Sequence, residues 1–372
     1  MAEIDIRGWC PGALRPMRSG DGWVVRVRPR LARLSSAQAL GLCAAAQAHG
    51  AGLIDLTNRA NLQIRGVGDD ALAPLPDALA ALELLDTDPE LEARRNILIA
   101  PDWVEEGDNT RLWRELAARL AELPPLPPKT GFAIDAGPAP VLTKDPADFR
   151  IERGENGLIL RGNGRARGMA LTAGQEIDSL IRLCRWFVES GGAAAGRMAR
   201  HAASLPDWAV WDAAPLPARA PFAPGPGPAG LTLGAAFGQI IARDLAQLLG
   251  ATQPRAIRIT PWRCLVLEGV QDARPPDSLI ALPDHPALRV DACAGAPFCP
   301  QASVETRALA LELAPLVRGS LHVSGCAKGC AGRRTAQTTL TGRDGLFDLH
   351  ERGAATATGL TRPRIIAHFR GD

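Results

Sequence analysis

Two stretches, "IDLTNRANLQIRGV" at residues 54–67 and "IRITPWRCLVLEGV" at residues 257–270, decide the fold. Ile54, Thr57, Leu62, Gly66 and Val67 of the first find Ile257, Thr260, Leu265, Gly269 and Val270 of the second at one constant offset. Leu56 and Ile64 find Ile259 and Leu267 at the same offset. Each stretch follows a helix-like segment, 36–49 or 238–249, that closes near a glycine. The shared order of strand, helix and strand predicts a duplicated α+β unit. The copies differ in chemistry. The first carries Asn58, Arg59, Gln63 and Arg65; the second carries Pro261, Trp262, Val266 and Glu268. Only the first keeps a cationic, hydrogen-bonding face, so the second reads as scaffold. Strand alternation puts Arg59, Gln63 and Arg65 on one face and leaves Asn58 to a turn.

Working outward, 372 residues suffice for two or more cores. A hydrophobic content of 46% with 22% charged residues is that of an ordinary globular chain. A net charge of +2 lacks the global basic field of a nucleic-acid binder. The opening "MAEIDIRGWCPG" has no basic region followed by an apolar one, and no apolar run is long enough to span a bilayer. The expectation is a cytoplasmic protein with no membrane partner. In a reducing compartment, clustered cysteines point to metal or redox chemistry before disulfides.

Residues 204–230, rich in Pro and Ala, read as a linker or strap. The expected organisation is a first half domain over 1–70, a lobe over 71–203, the linker, a second half domain over 231–275 and a final lobe over 276–372. "DFRIERGENGLILRGNG" (148–164) reads as a hairpin, and "NTRLWRELAARLAEL" (109–123) as an amphipathic helix ended by "PPLPP". "RGNGRARG" (161–168) lacks the setting of a phosphate loop and reads as a hairpin end or carboxylate-binding loop. No dinucleotide fingerprint is present, so reducing equivalents would come from a partner protein.

The eight cysteines are not evenly spread. Cys293 and Cys299 are spaced C-x5-C, and Cys326 and Cys330 are spaced C-x3-C. Between them "PQASVETRALALELAPLVRG" (300–319) reads as a helix that could bring the pairs together. Structural zinc favours tighter knuckles at both ends. An iron–sulfur cluster takes four thiolates at varied spacings. Gly295, Gly325, Gly329 and Gly332 would let backbone N–H groups approach sulfur. Cys43 and Cys184 fall in helical patterns and read as small core residues, while Cys10, beside Trp9 and Pro11, has no evident role. His322 reads as a hydrogen-bonded strand residue. Lys328, between the last two cysteines, could offset cluster charge, meet a substrate carboxylate or simply face solvent.

The cysteine spacing resembles that of the nitrite and sulfite reductase iron–sulfur haemoproteins. "LTNRANLQIRGV" is similar to that family's strand bearing Thr, Arg, Gln and Gly at these spacings. "RRNILIAP" (94–101) and "LPPKTGFAID" (126–135) are similar to two further family motifs. The resemblance implies two ferredoxin-like half domains plus two α/β lobes that bind cluster and tetrapyrrole. It implies a 4Fe-4S cluster on Cys293, Cys299, Cys326 and Cys330, and a basic catalytic set of Arg59, Arg95 and Lys129. The family's second lysine would fall at Gly131 and is absent. "CAGAPFCPQA", "HVSGCAKGCA" and "RGWCPGALRPM" resemble a narrower branch, whose substrate is the reduced tetrapyrrole precorrin-3A of aerobic cobalamin biosynthesis.

That branch implies hydroxylation of a meso carbon (C20), closure of a γ-lactone, and consumption of dioxygen with electrons from a donor protein. A polycarboxylate substrate favours guanidinium partners. Arg59, Gln63, Arg65, Arg95 and Lys328 are the expected substrate contacts; Arg94, Arg161, Arg165, Arg167, Arg333 and Arg334 lie in or beside the motifs. A second, mononuclear iron would have no ligands assigned by the sequence. The alternatives are a siroheme-dependent sulfite or nitrite reductase and a simple electron carrier.

Overall fold

In the computed structural model, which describes residues 10–331 and 336–371, the first half opens on a tight hairpin of Met17–Ser19 (β1) and Gly22–Val27 (β2). Arg33–Ser35 (β3) leads into helix Ser36–His49 (α1). Ser35 caps that helix reciprocally with Gln38, and Gly50 follows its last turn. Leu53–Leu56 (β4) and Leu62–Val67 (β5) then form a second hairpin, followed by Pro74–Ala81 (α2) and Pro89–Arg94 (α3). The first lobe comprises Ile97–Ile99 (β6), Asp108–Ala118 (α4), Phe132–Asp135 (β7), Phe149–Gly154 (β8), Gly157–Gly162 (β9), Met169–Ala170 (β10), Glu176–Glu189 (α5) and Gly192–Ala195 (α6).

The plan then repeats. Gly225–Gly227 (β11), Gly230–Gly234 (β12), Gln239–Ile241 (β13), Ala242–Thr252 (α7), Ala256–Ile259 (β14) and Cys264–Glu268 (β15) rebuild the half domain. Val290–Ala292 (β16), Arg307–Leu313 (α8), Leu321–Ser324 (β17), Thr338–Arg343 (β18), Leu346–Glu351 (β19), Ala354–Leu360 (β20) and Arg362–Arg370 (α9) rebuild the lobe.

Among the described residues four five-stranded sheets result. The half domains give β1-β2-β5-β4-β13 and β11-β12-β15-β14-β3. Each thus takes its outermost strand from the other half: β13 pairs with β4, and β3 with β14. Both sheets share one core in which Leu42 and Ile54 meet Leu245 and Ile257. The lobes give β10-β9-β8-β7-β6 and β16-β17-β18-β19-β20, each with two parallel pairings followed by two antiparallel ones. The duplication therefore reaches beyond the quoted stretches to the lobes.

The hairpin expected over 148–164 forms as β8 and β9. Leu112, Leu116, Leu120 and Leu123 are buried as the helical pattern requires, the last two in and after a short 3-10 turn. The helix expected over 300–319 is reduced to α8. Its first turns are diverted because Ala302 N–H bonds to Cys299 O and Ser303 N–H bonds to Gly325 O, tying the segment to the opposite cysteine loop. The segment before β11 runs along the first lobe: Ala213 bridges Gly168, Pro215 bridges Gly154, and Trp208 and Trp211 pack against that lobe's core.

Candidate functional site

Register places Arg26, Gln63, Asp55 and Gln239 side by side across β2, β5, β4 and β13. Their neighbours Val25, Ile64, Ile54 and Ile240 point the other way into the core. The first half-domain sheet thus has one apolar and one polar face, as strand alternation demands. Arg26 is only 9% exposed. With its amide oxygen turned to the guanidinium, Gln63 accepts from Arg26 Nη2 at 2.8 Å. Arg65 bonds Asp21 at 2.7 Å and lies 3.5 Å from Asp55.

Arg59 is not on the strand with Gln63 and Arg65, as the sequence reading had it. It sits in the β4–β5 turn, where Thr57 Oγ1 accepts from the N–H groups of Arg59 and Asn61 and Ala60 has φ +52°. From there Arg59 Nη2 donates to Lys129 O at 2.8 Å, and Nη1 is buried with no acceptor among the described residues. Arg197 converges on the same carbonyl and on Asp148. Gly131 leaves room for this: a Cβ there would stand 3.1 Å from Arg59 Nη1, so the guanidinium would have to shift slightly.

Cys10 completes the cluster. Burial pushes its thiol up, but the charge and hydrogen bond of Arg26, with Arg59 and Lys129 nearby, outweigh that and hold it below its ordinary value.

The cysteine loops lie at the carboxyl ends of parallel strands: Cys293 and Cys299 follow β16, Cys326 and Cys330 follow β17. Gly325 N–H donates to Cys293 Sγ at 3.1 Å. The Cys330 thiol hydrogen-bonds Cys293, which holds Cys293 well below its ordinary value and pushes Cys330 up. Gly295 has φ +68°, and a Cβ on it would lie 2.9 Å from Thr306 N. Among the described residues no three Cys, His, Asp or Glu side chains converge tightly enough to grip a single metal ion. The donor set is nevertheless all thiol, on two loops in contact, with a backbone N–H already on sulfur. That chemistry fits an iron–sulfur cluster.

His322 lies in β17, buried, with its pKa lowered by burial. The loop also touches the polar sheet: a Cβ on Gly20, in the β1–β2 turn, would collide with Phe298 O at 2.0 Å.

Comparison with known proteins agrees with this architecture. Residues 15–82 match the nitrite/sulfite reductase ferredoxin-like half domain. The solved structure of Mycobacterium tuberculosis NirA protein superposes with a TM-score of 0.60 at 19% identity, covering 91% of this chain and 76% of that one, and so shows the shared fold. A Sinorhizobium sp protein named precorrin-3B synthase is 32% identical over 384 residues, which cover 94% of this chain and 83% of the relative. The chain belongs to the precorrin-3B synthase family. The fold is accordingly the duplicated nitrite/sulfite reductase-like one that the repeat and motifs had suggested.

Within this precorrin-3B synthase family member, the structure gathers some predicted residues and disperses others. Arg59 and Lys129 meet beside Cys10, and Gln63 lies next to Arg26 on the same face. Arg95 is engaged by Asp86 and by Arg28 O. Lys328 stays on the loop between Cys326 and Cys330. Four other arginines are spent on internal bonds: Arg94 to Leu120 O and Leu123 O, Arg161 to Glu152, Arg165 to His201 O and Ala203 O, and Arg167 to Asp212 O. Gly332, Arg333 and Arg334 lie outside the described residues.

Sequence reading missed Arg26, Cys10 and Arg197. The alternation of Arg26 and Arg28 in "WVVRVRP" was a usable signal for the first; nothing local marks Arg197. Among the described residues no helix is long and apolar enough to cross a membrane.

Proposed function

We propose that this protein oxidises precorrin-3A to precorrin-3B in aerobic cobalamin biosynthesis, hydroxylating C20 with closure of a γ-lactone by the ring-A acetate. One observation carries the reading: among the described residues the buried Arg59 Nη1 has no acceptor, and it lies near Arg26, Lys129 and Cys10. A buried guanidinium donor without an acceptor costs about 1–3 kcal/mol, and more for a charged group. A carboxylate of a polyacidic macrocycle would supply that acceptor with charge-assisted bonds. Gln63 holds Arg26 in line, while Arg65 and Arg95, braced by Asp21 and Asp86, would add positive potential at the edges. Lys129 and Lys328 would meet further carboxylates.

The thiols of Cys293, Cys299, Cys326 and Cys330 would hold a 4Fe-4S cluster. When bound there, such a cluster supplies electrons one at a time, drawn from a donor protein. Dioxygen is the co-substrate in this reading, and the cytoplasm its location. The role of this chain's residues is to bind the macrocycle by its acids and orient its C20 edge. A siroheme sulfite or nitrite reductase is disfavoured at Gly131, where the reductase lysine would crowd Arg59.

The test is anaerobic purification, iron and labile-sulfide analysis, a visible spectrum, and incubation with precorrin-3A, dioxygen and a reductant. An iron–sulfur shoulder and lactone formation are expected. Red-region siroheme bands would turn the reading to the reductase; an intact cluster with no conversion would refute the substrate.

A further inference from the structure

Arg307 is the first residue of α8, and its guanidinium lies within electrostatic reach of Cys293 and of Asp55 on the polar sheet. Its charge acts on Cys293 on one side and on Asp55, Arg65 and Asp21 on the other. The guanidinium carbon sits 5.9 Å from the ring centroid of Phe237, in the turn before the exchanged strand β13. Arg307 Nε is buried and has no acceptor among the described residues. The backbone around it is pinned, because Thr306 Oγ1 donates to Cys293 O at 2.6 Å and Thr306 closes on Gly295.

No predicted site residue and no motif covers Arg307. It is nevertheless a cation whose charge is felt both at Cys293 and at Asp55, a member of the row formed by Arg26, Gln63, Asp55 and Gln239.

We infer that Arg307 is a positioning residue that fixes the cysteine loops against the substrate-binding face and raises the reduction potential of the group those cysteines hold. A reduced thiolate-bound cluster carries one more negative charge than the oxidised one. A nearby guanidinium in a low-dielectric setting therefore favours the reduced state. Asp55 and Asp21 temper that charge without removing it, since Arg65 already binds both. This inference rests on the reading that the four cysteines hold an iron–sulfur cluster.

The experiment compares wild-type, Arg307→Gln and Arg307→Lys holoproteins, purified anaerobically. Iron and labile sulfide are counted, and the midpoint potential is titrated by visible and electron paramagnetic resonance spectroscopy. Arg307→Gln is expected to keep its iron and sulfide and to titrate at a more negative potential, with Arg307→Lys nearer wild type. A full cluster at an unchanged potential in Arg307→Gln would overturn the inference and leave only packing. If Arg307→Gln loses its cluster, Arg307→Lys decides. A cluster near wild-type potential upholds the role of charge, and loss in both variants overturns it. Wild-type protein without iron and sulfide would sink the cluster reading itself, a result plainly different from a shift that fails to appear.

Discussion

On the first half-domain sheet the outward row reads Arg26, Gln63, Asp55 and Gln239; on the second, the corresponding strands carry Thr232, Val266, Arg258 and Arg33. The second row is sealed by the protein itself. Arg258 lies 4.0 Å from the Trp103 ring centroid and donates to Pro101 O and Trp103 O at 2.8 and 2.6 Å. Glu268 is gripped by both Arg33 and Arg258. Trp262, at the position of Arg59, packs on Phe222 and bonds Asp145.

The loops past the lobe strands diverge in the same way. By register Ala100 stands where the second lobe has Cys293, and Asp135, with burial pushing its carboxyl up to about 6, stands where it has Ser324. Duplication thus supplied two equivalent faces. One was closed with stacked and ion-paired side chains. The other keeps buried guanidinium nitrogens, Arg59 Nη1 and Arg307 Nε, that have no acceptor among the described residues, as the proposed binding of a ligand there requires.

The sharpest way to break this contrast is at the thiols. Cys330→Ser should abolish the iron–sulfur absorbance and all conversion, whereas Cys264→Ser in the sealed half should leave the spectrum intact; an unchanged cluster in Cys330→Ser would show the ligand set to be wrong. Next comes the paired substitution of equivalent turn residues. Arg59→Ala should lower kcat/KM about 10- to 100-fold, the worth of a charge-assisted hydrogen bond, with the cluster spectrum unchanged. Trp262→Ala should instead lower Tm and leave kcat/KM per folded molecule as it was. A spectrum lost with Arg59→Ala would make that residue structural.

The sealed face has its own signature in pH. Burial pushes the Glu268 carboxyl up, but hydrogen bonds from Arg33 and Arg258 outweigh it and hold it below its ordinary value. A carboxyl depressed in the folded state contributes stability above its unfolded pKa of about 4.3 and loses it as pH falls through the folded value. Glu268→Gln should therefore cost about 1–3 kcal/mol near neutral pH, and the difference should close in acid when chemical denaturation is followed against pH. A cost independent of pH would mean that shape, not charge, seals this face. The smallest effect is expected at Gly131→Ala. Its Cβ would press on Arg59 Nη1 and should raise KM a few-fold, on the order of 1 kcal/mol, with kcat little changed. An unaltered KM would separate Gly131 from the placement of Arg59.

Much of this was legible in the chain. The repeat, the β8–β9 hairpin, the leucine face of α4 and the two cysteine pairs are local patterns, since spacing along the sequence sets which side chains share a face. The motif resemblances singled out Arg59 and Lys129, and the fold brings both near Cys10. Arg59 was nonetheless misplaced on a strand, because the Thr57 turn that removes it depends on side-chain-to-backbone bonds that strand alternation ignores. Arg94, Arg161, Arg165 and Arg167 looked like pocket residues, since a guanidinium bound to a distant carbonyl reads in sequence like one awaiting a substrate.

From the residues alone one could read a duplicated α+β chain and two closely spaced pairs of cysteines. The exchange of β3 and β13 between halves, the company that Arg26 and Cys10 keep with Arg59 and Lys129, and the reach of Arg307 to both Cys293 and Asp55 emerge only on folding. The physical reason is range. Helix and strand periodicity is written within a dozen residues, whereas the charges around a buried cation come from far along the chain, as when Arg307 feels Asp55 about 250 positions away.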